Sequence, residues 1–235
     1  MSLRFFAGGG QPPQSHEVLL VEPGGEGWYL TGMPWPEQPP FDEIGRYRVE
    51  LGAAGYDRLA ALARAVIAEP EPAAGPTDAG GETARLDDAE ASWSARGRSP
   101  AAQALVDAAR EAITAARARP DAVVRADLGD GEVALSNRGD HPLPVADGEL
   151  RAGWGPAEHP PSPLRLASAA PVAVTLPAEL APGDRLVLPL PAAVPDEDVD
   201  LHTPYALVGL QWRPGVPGER EEREGWMIAG PWVRQ

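Results

Sequence analysis

Cysteine is absent from the 235-residue sequence. That excludes disulfide scaffolds, thiolate nucleophiles, thiolate zinc sites and iron–sulfur clusters. Lysine is absent as well, all 20 basic residues being arginine. No Walker-type phosphate loop can be completed without it, and Gly8-Gly9-Gly10 runs into Gln11-Pro12-Pro13 instead of a helix N-terminus. Asparagine occurs once, at Asn137, while Ala, Gly, Pro and Arg abound. This bias toward GC-rich codons points to a high-GC bacterium of the actinomycete kind. No apolar run reaches the roughly 18 residues of a membrane span, and the opening Met1–Ala7 breaks into glycines before a signal-peptide core forms. The expectation is a soluble, cytoplasmic protein with no membrane partner.

What is present is acid, glycine and proline. The 35 acidic residues outweigh the basic ones to give a net charge of −15, a field that repels nucleic-acid phosphates and leaves no nucleic-acid partner expected. With 26 Gly and 28 Pro but a hydrophobic share of 43%, the chain reads as folded and rich in loops.

The opening gives short strands, Leu3–Ala7, Glu17–Val21 and Gly27–Thr31, separated by glycine-rich turns and forming sheet edges or a meander. Met33–Phe41 holds too many prolines for a helix or central strand and reads as an irregular surface loop. Over Ile44–Leu51, Tyr47, Val49 and Leu51 alternate with Arg46, Arg48 and Glu50, the period of a strand with one wet face. Leu59, Leu62, Ala63, Val66 and Ile67 then recur at helical spacing, predicting a helix near 56–68. The acidic, Pro- and Gly-rich stretch 69–83 reads as a flexible loop, and Ala84–Ala95 as a weaker helix. Ser99-Pro100 has the form of an N-cap followed by first-turn proline, opening a helix near 100–118 whose apolar side is Leu105, Ala109, Ile113 and Ala116. Beyond residue 120 come β-like runs: Val123–Leu128, Glu132–Ser136, Glu149–Trp154, Pro171–Leu176, Arg185–Leu190, Tyr205–Trp212 and Trp226–Val233, with a hairpin at Gly129-Asp130-Gly131. The expected fold is therefore an α+β N-terminal domain over 1–120 followed by an all-β sandwich over 121–235.

The segment Val133-Ala134-Leu135-Ser136-Asn137-Arg138-Gly139-Asp140 resembles a strand and turn common in bacterial immunoglobulin-like domains. So does Leu176-Pro177-Ala178-Glu179-Leu180-Ala181-Pro182-Gly183-Asp184 with Leu186, Leu188 and Leu190 behind it. The resemblance covers the C-terminal half and implies an immunoglobulin-like two-sheet sandwich without specifying a ligand. The strand Tyr205–Trp212 is similar to that of sugar-binding sandwiches appended to polysaccharide exporters and glycosyltransferases. The N-terminal half resembles small bacterial α+β inhibitors of metallopeptidases, with no inhibitory motif to carry over.

Catalytic chemistry finds no foothold. His16, His141, His159 and His202 stand apart, none at the spacing of a zinc pair. Asp196, Asp198 and Asp200 alternate like the first ligands of a calcium loop, but Leu201 replaces the expected glycine and Leu207 the bidentate acid. They are the one metal candidate, against a solvated acidic loop. No Gly-x-Ser-x-Gly marks a nucleophile, and among 35 acids no acid–base pair can be singled out. Arg138-Gly139-Asp140 spells a receptor-binding tripeptide that turn geometry and chance explain. Of seven tryptophans, Trp28, Trp212 and Trp226 read as core, whereas Trp35 lies between prolines.

The reading is a non-catalytic binding or adaptor protein recognising a protein partner, with no cofactor and with Trp35, Phe41, Trp154 and Trp232 as contact residues. A basic partner surface suits the −15 charge. The alternative is a carbohydrate-binding sandwich stacking sugars on Trp154 and Trp212, and a further one is an unrecognised hydrolase.

Overall fold

The computed structural model describes residues 2–7, 17–32, 42–69, 81–86, 89–94, 98–129, 131–156, 172–190, 202–217, 219 and 221–230. The chain divides into two compact units, one of Met1–Thr31 with Arg46–Pro120 and the other of Gly32–Gly45 with Asp121–Gln235.

In the first unit, β1 (Leu3–Ala7), β2 (Glu17–Val21) and β3 (Glu26–Thr31) form an antiparallel meander, followed by β4 (Glu43–Glu50), whose Arg46–Glu50 part belongs here. Helix α1 (Gly52–Ile67), strands β5 (Gly81–Leu86) and β6 (Ala89–Ser94), and helix α2 (Pro100–Ala116) complete it. The strand order is β4-β3-β2-β1-β5-β6. Alternation along β4 buries Tyr47 and Val49 and leaves Arg48 and Glu50 exposed, as its period requires. Tyr47 meets Tyr29 of β3, ring centroids 5.4 Å apart. Helix α1 buries Tyr56, Leu59, Ala60, Ala63 and Val66, one apolar stripe at spacings of three and four. At the start of α2 the Ser99 hydroxyl accepts from the Ala102 N–H at 3.0 Å and proline holds the first turn. Just before this cap, Arg98 grips the carboxylate of Glu82, which also accepts the Trp93 indole N–H at 2.8 Å. Glu82 is a charge buried only because it is paired.

The second unit holds β7 (Pro120–Leu128), β8 (Glu132–Asn137), β9 (Leu143–Pro156), β10 (Val172–Thr175), β11 (Glu179–Leu180), β12 (Arg185–Pro189), β13 (His202–Trp212) and β14 (Arg223–Ala229). Strands β12, β8 and β7 lie side by side and continue with the first residues of β4, where the Ala126 N–H donates to the Asp42 carbonyl at 2.8 Å. The remaining strands build a separate five-stranded sheet in the order β10-β9-β13-β14, with β11 also paired to β9. One face of this sheet is apolar, carrying Leu150, Val208 and Met227 side by side, all buried.

This architecture corrects the expected α+β domain followed by an all-β immunoglobulin-like sandwich. Among the described residues there are fourteen strands and only two helices, in two sheets. Two physical reasons account for the difference. Ala84–Ala95, read as helical, is largely the β5–β6 hairpin, with Glu82 opposite Trp93 and Ala84 opposite Ala91; its alanines lie on alternate positions and tertiary pairing overrides their helix propensity. Strands β7, β8 and β12 find their partner in β4, an early strand, and so are not part of a sandwich made by the C-terminal half alone.

The two sequence segments on which the family resemblance rests meet in space. The Asn137 side-chain amide donates to the carbonyls of His141 (2.9 Å) and Leu180 (2.7 Å), and its oxygen accepts from the Gly139 N–H at 2.8 Å. Its backbone N–H donates to Asp184 and its carbonyl accepts from Gly183, both at 3.1 Å. Gly139 must be glycine because a Cβ there would lie 2.4 Å from the Asp121 carbonyl oxygen. The tripeptide Arg138-Gly139-Asp140 is therefore built into this clamp, its central residue buried.

Replacing Ser99 with alanine removes the side-chain N-cap of α2 and is expected to lower stability by about 1 kcal/mol. Urea denaturation of S99A against the parent checks this; an unchanged midpoint would show that the Arg98–Glu82 pair and Pro100 alone fix the helix start.

Candidate functional site

The other face of the five-stranded sheet, polar around one hollow and buried at Leu207 and Ile228, gathers charged, amide and aromatic groups there. In antiparallel pairing, residues directly opposite share a face, so Trp226 of β14, Gly209 of β13, Glu149 of β9 and Ala173 of β10 form one row. Two residues away, Glu224 is opposite Gln211, and Arg151 is opposite Leu207, which pairs with Ile228. The Trp226 ring lies on the Gly209 backbone, where an added Cβ would be 2.8 Å from the indole. Any side chain at 209 would displace the ring. On the indole, the Arg151 guanidinium carbon sits 5.3 Å from the ring centroid. Arg151 is held in turn by an ion pair with Glu149, and the indole N–H donates to Glu224 at 2.7 Å. A chain Glu149–Arg151–Trp226–Glu224 thus fixes four side chains. Beside it opens a hollow of about 170 Å³ bordered by Gly148, Glu149, Gly209, Gln211, Glu224 and Trp226.

Chemically this arrangement suits a cation. Glu149 and Glu224 bring two carboxylates and Arg151, which covers the indole, one guanidinium, leaving an excess of negative charge. Arg151 itself shows that a guanidinium is accommodated between this indole and a carboxylate.

Other polar clusters brace the fold. The Tyr29 hydroxyl donates to Glu17 at 2.6 Å and accepts from Arg117 at 3.1 Å; burial, with the Glu17 carboxylate, pushes its phenol far above the ordinary range. Burial likewise pushes Tyr205 up to about 12. His141 sits 3.0 Å from the buried Asp121 carboxylate, next to the Asn137 clamp. Asp42 pairs with Arg125 at 2.8 Å, and Asp127 lies 3.3 Å from the same guanidinium. Among the described residues no group of three or more His, Asp or Glu side chains is placed to hold a metal ion, and no helix is long and apolar enough to cross a membrane.

Of the contact residues expected from sequence, Trp35, Phe41 and Trp232 lie outside the described residues, as do the calcium candidates Asp196, Asp198 and Asp200. Trp154 stands in β9 opposite Pro204. Trp212 is 1% exposed, so it offers no face on which a sugar could stack. Trp226 is buried as read, whereas Trp28 is half-buried beneath the Arg46 guanidinium, 5.4 Å from its ring. The residues around the hollow carried no signal of their own: Glu149 and Glu224 are two of 35 acids, and only the register shows that Gly209 faces Trp226.

Comparison with known proteins finds no matching family model, curated protein or solved structure.

Two predictions follow from these clusters. Gly209→Ala forces the Trp226 ring to shift and is expected to cost about 1–3 kcal/mol of stability, the range for overpacking. Chemical denaturation with near-ultraviolet circular dichroism checks it, and an unchanged aromatic spectrum would contradict the contact. Burial raises the Asp42 carboxyl above its ordinary value, Arg125 opposing and Glu43 and Asp127 adding to the rise. An acid with a raised folded pKa takes up its proton more readily in the folded state, so its contribution is largest in acid and declines as pH rises through the folded value. The stability of the parent relative to Asp42→Asn should therefore increase as pH falls from neutral toward the ordinary aspartate value of 3.8; denaturation curves showing the reverse trend would refute it.

Proposed function

We propose that the protein is a non-catalytic binding or adaptor protein that recognises a basic segment of a protein partner at the polar hollow on its five-stranded sheet. The observation that carries this reading is the hollow beside Gly209, where two carboxylates and the Trp226 side chain border a space of about 170 Å³ and a neighbouring guanidinium already packs on the indole. The net charge of −15 adds long-range attraction for such a partner. Because the groups around the hollow are held by one another, little side-chain entropy is lost when a ligand enters.

The reading is tested by adding hexa-arginine or hexa-glutamate peptide to the isotopically labelled protein and following the Trp226 indole N–H, assigned with Trp226→Phe. Hexa-arginine is expected to shift that signal and the amides of Gly148 and Gly209, the shifts fading as salt rises. The Glu149→Gln/Glu224→Gln double variant should weaken binding about 10-fold, roughly 1.4 kcal/mol. Equal shifts with both peptides, or none with hexa-arginine, would overturn the assignment.

A further inference from the structure

We propose that the partner docks by strand addition at the outer edge of β10, as an extended segment whose side chains alternate between basic and apolar. This deepens the reading above and rests on it for the partner's basic character, but a separate observation places the docking.

A sheet edge presents backbone donors and acceptors to any passing chain, and folded proteins blunt their edges with charge or proline. Among the described residues five strands lie at sheet edges: β6 carries Glu90, β11 carries Glu179, β12 carries Arg185 and Pro189, and β14 carries Arg223 and Glu224. The fifth, β10, reads Val-Ala-Val-Thr, with neither charge nor proline. It pairs with β9 on one side, and among the described residues no strand pairs with its other side. Val172, Ala173 and Thr175 are all exposed, Val172 by 44%, the largest exposure of a large apolar side chain among the described residues. An apolar edge strand bared in this way is the feature on which strand-adding ligands dock.

The two faces of β10 specify the occupant. Ala173 is directly opposite Glu149, on the face of the hollow. Its methyl leaves the way to that carboxylate low, so a long cationic side chain on an added strand can pass over it. On the other face Val172, opposite the buried Leu150, and Val174, opposite Gly148, offer apolar side chains that suit Val or Ile in the alternate positions of the incoming strand. Main-chain pairing supplies affinity, and the alternation of arginine and valine supplies selectivity.

The probe is the hexapeptide Val-Arg-Val-Arg-Val-Arg with blocked ends, alongside two analogues N-methylated on every second residue in the two possible phases. N-methylation removes donors from one edge of the peptide while keeping every side chain. One phase should bind at least about 10-fold more weakly than the parent and the other about equally, and amide exchange within Val172–Thr175 should slow on adding the parent. Val172→Lys, at an exposed position, should weaken the parent peptide while leaving the denaturation midpoint unchanged. If the parent peptide shifts the Trp226 indole signal but both analogues bind like the parent and β10 exchange is unchanged, strand addition is wrong and cation recognition at the hollow stands. If the peptide binds β10 and a Val-Thr-Val-Thr-Val-Thr control binds equally well, the basic partner is wrong. If nothing binds, both fall.

Discussion

The indole of Trp226 rests on backbone because its neighbour on β13 is Gly209, and the linked side chains Arg151, Glu149 and Glu224 depend on this contact. An aromatic ring laid over a cross-strand glycine replaces the packing that the glycine lacks. With the ring in place, Arg151 has a surface to cover, Glu149 has a guanidinium to hold, and Glu224 has an indole N–H to accept. The opposite face of the same strands is buried apolar surface, Leu150, Val208 and Met227 in one row. That burial holds the strands rigidly enough for four polar side chains to keep their places on the other side.

A second constraint works in the same unit without any charge. Asn137, the only asparagine, uses both ends of its amide to tie the turn after β8 to the carbonyl of Leu180. A buried amide left without these partners would cost several hydrogen bonds' worth of desolvation, so the turn and the Gly183-Asp184 loop are specified together. The two segments that resemble immunoglobulin-like domains meet at this turn.

Local signals were legible and distant ones were not. The N-cap at Ser99, the proline behind it, the period of β4 and the runs that became β7, β8, β12 and β13 each depend on residues close in sequence. The β5–β6 hairpin was misread because its alanines suit a helix until strand pairing decides otherwise. The union of β4 with β7, on which the sheet order turns, requires knowing that Asp42 accepts from Ala126, and no periodicity carries that. The hollow shows the same limit. Trp226 was recognisable as a core residue, but its role depends on a glycine seventeen positions earlier brought opposite by antiparallel register. Strand β10 was readable as a β-like run, whereas its place at the end of the sheet among the described residues was not.

The most direct test of cation recognition on this face is a double-mutant cycle between Glu149 and the arginines of the bound peptide. Binding of the arginine peptide and of its glutamine-substituted counterpart is measured by calorimetry for the parent and for Glu149→Gln. A guanidinium seated beside Glu149 predicts a coupling energy of about 0.5–1 kcal/mol, the size expected of a solvent-exposed charge pair. Strictly additive effects would mean that the cation does not occupy this hollow and would contradict the account.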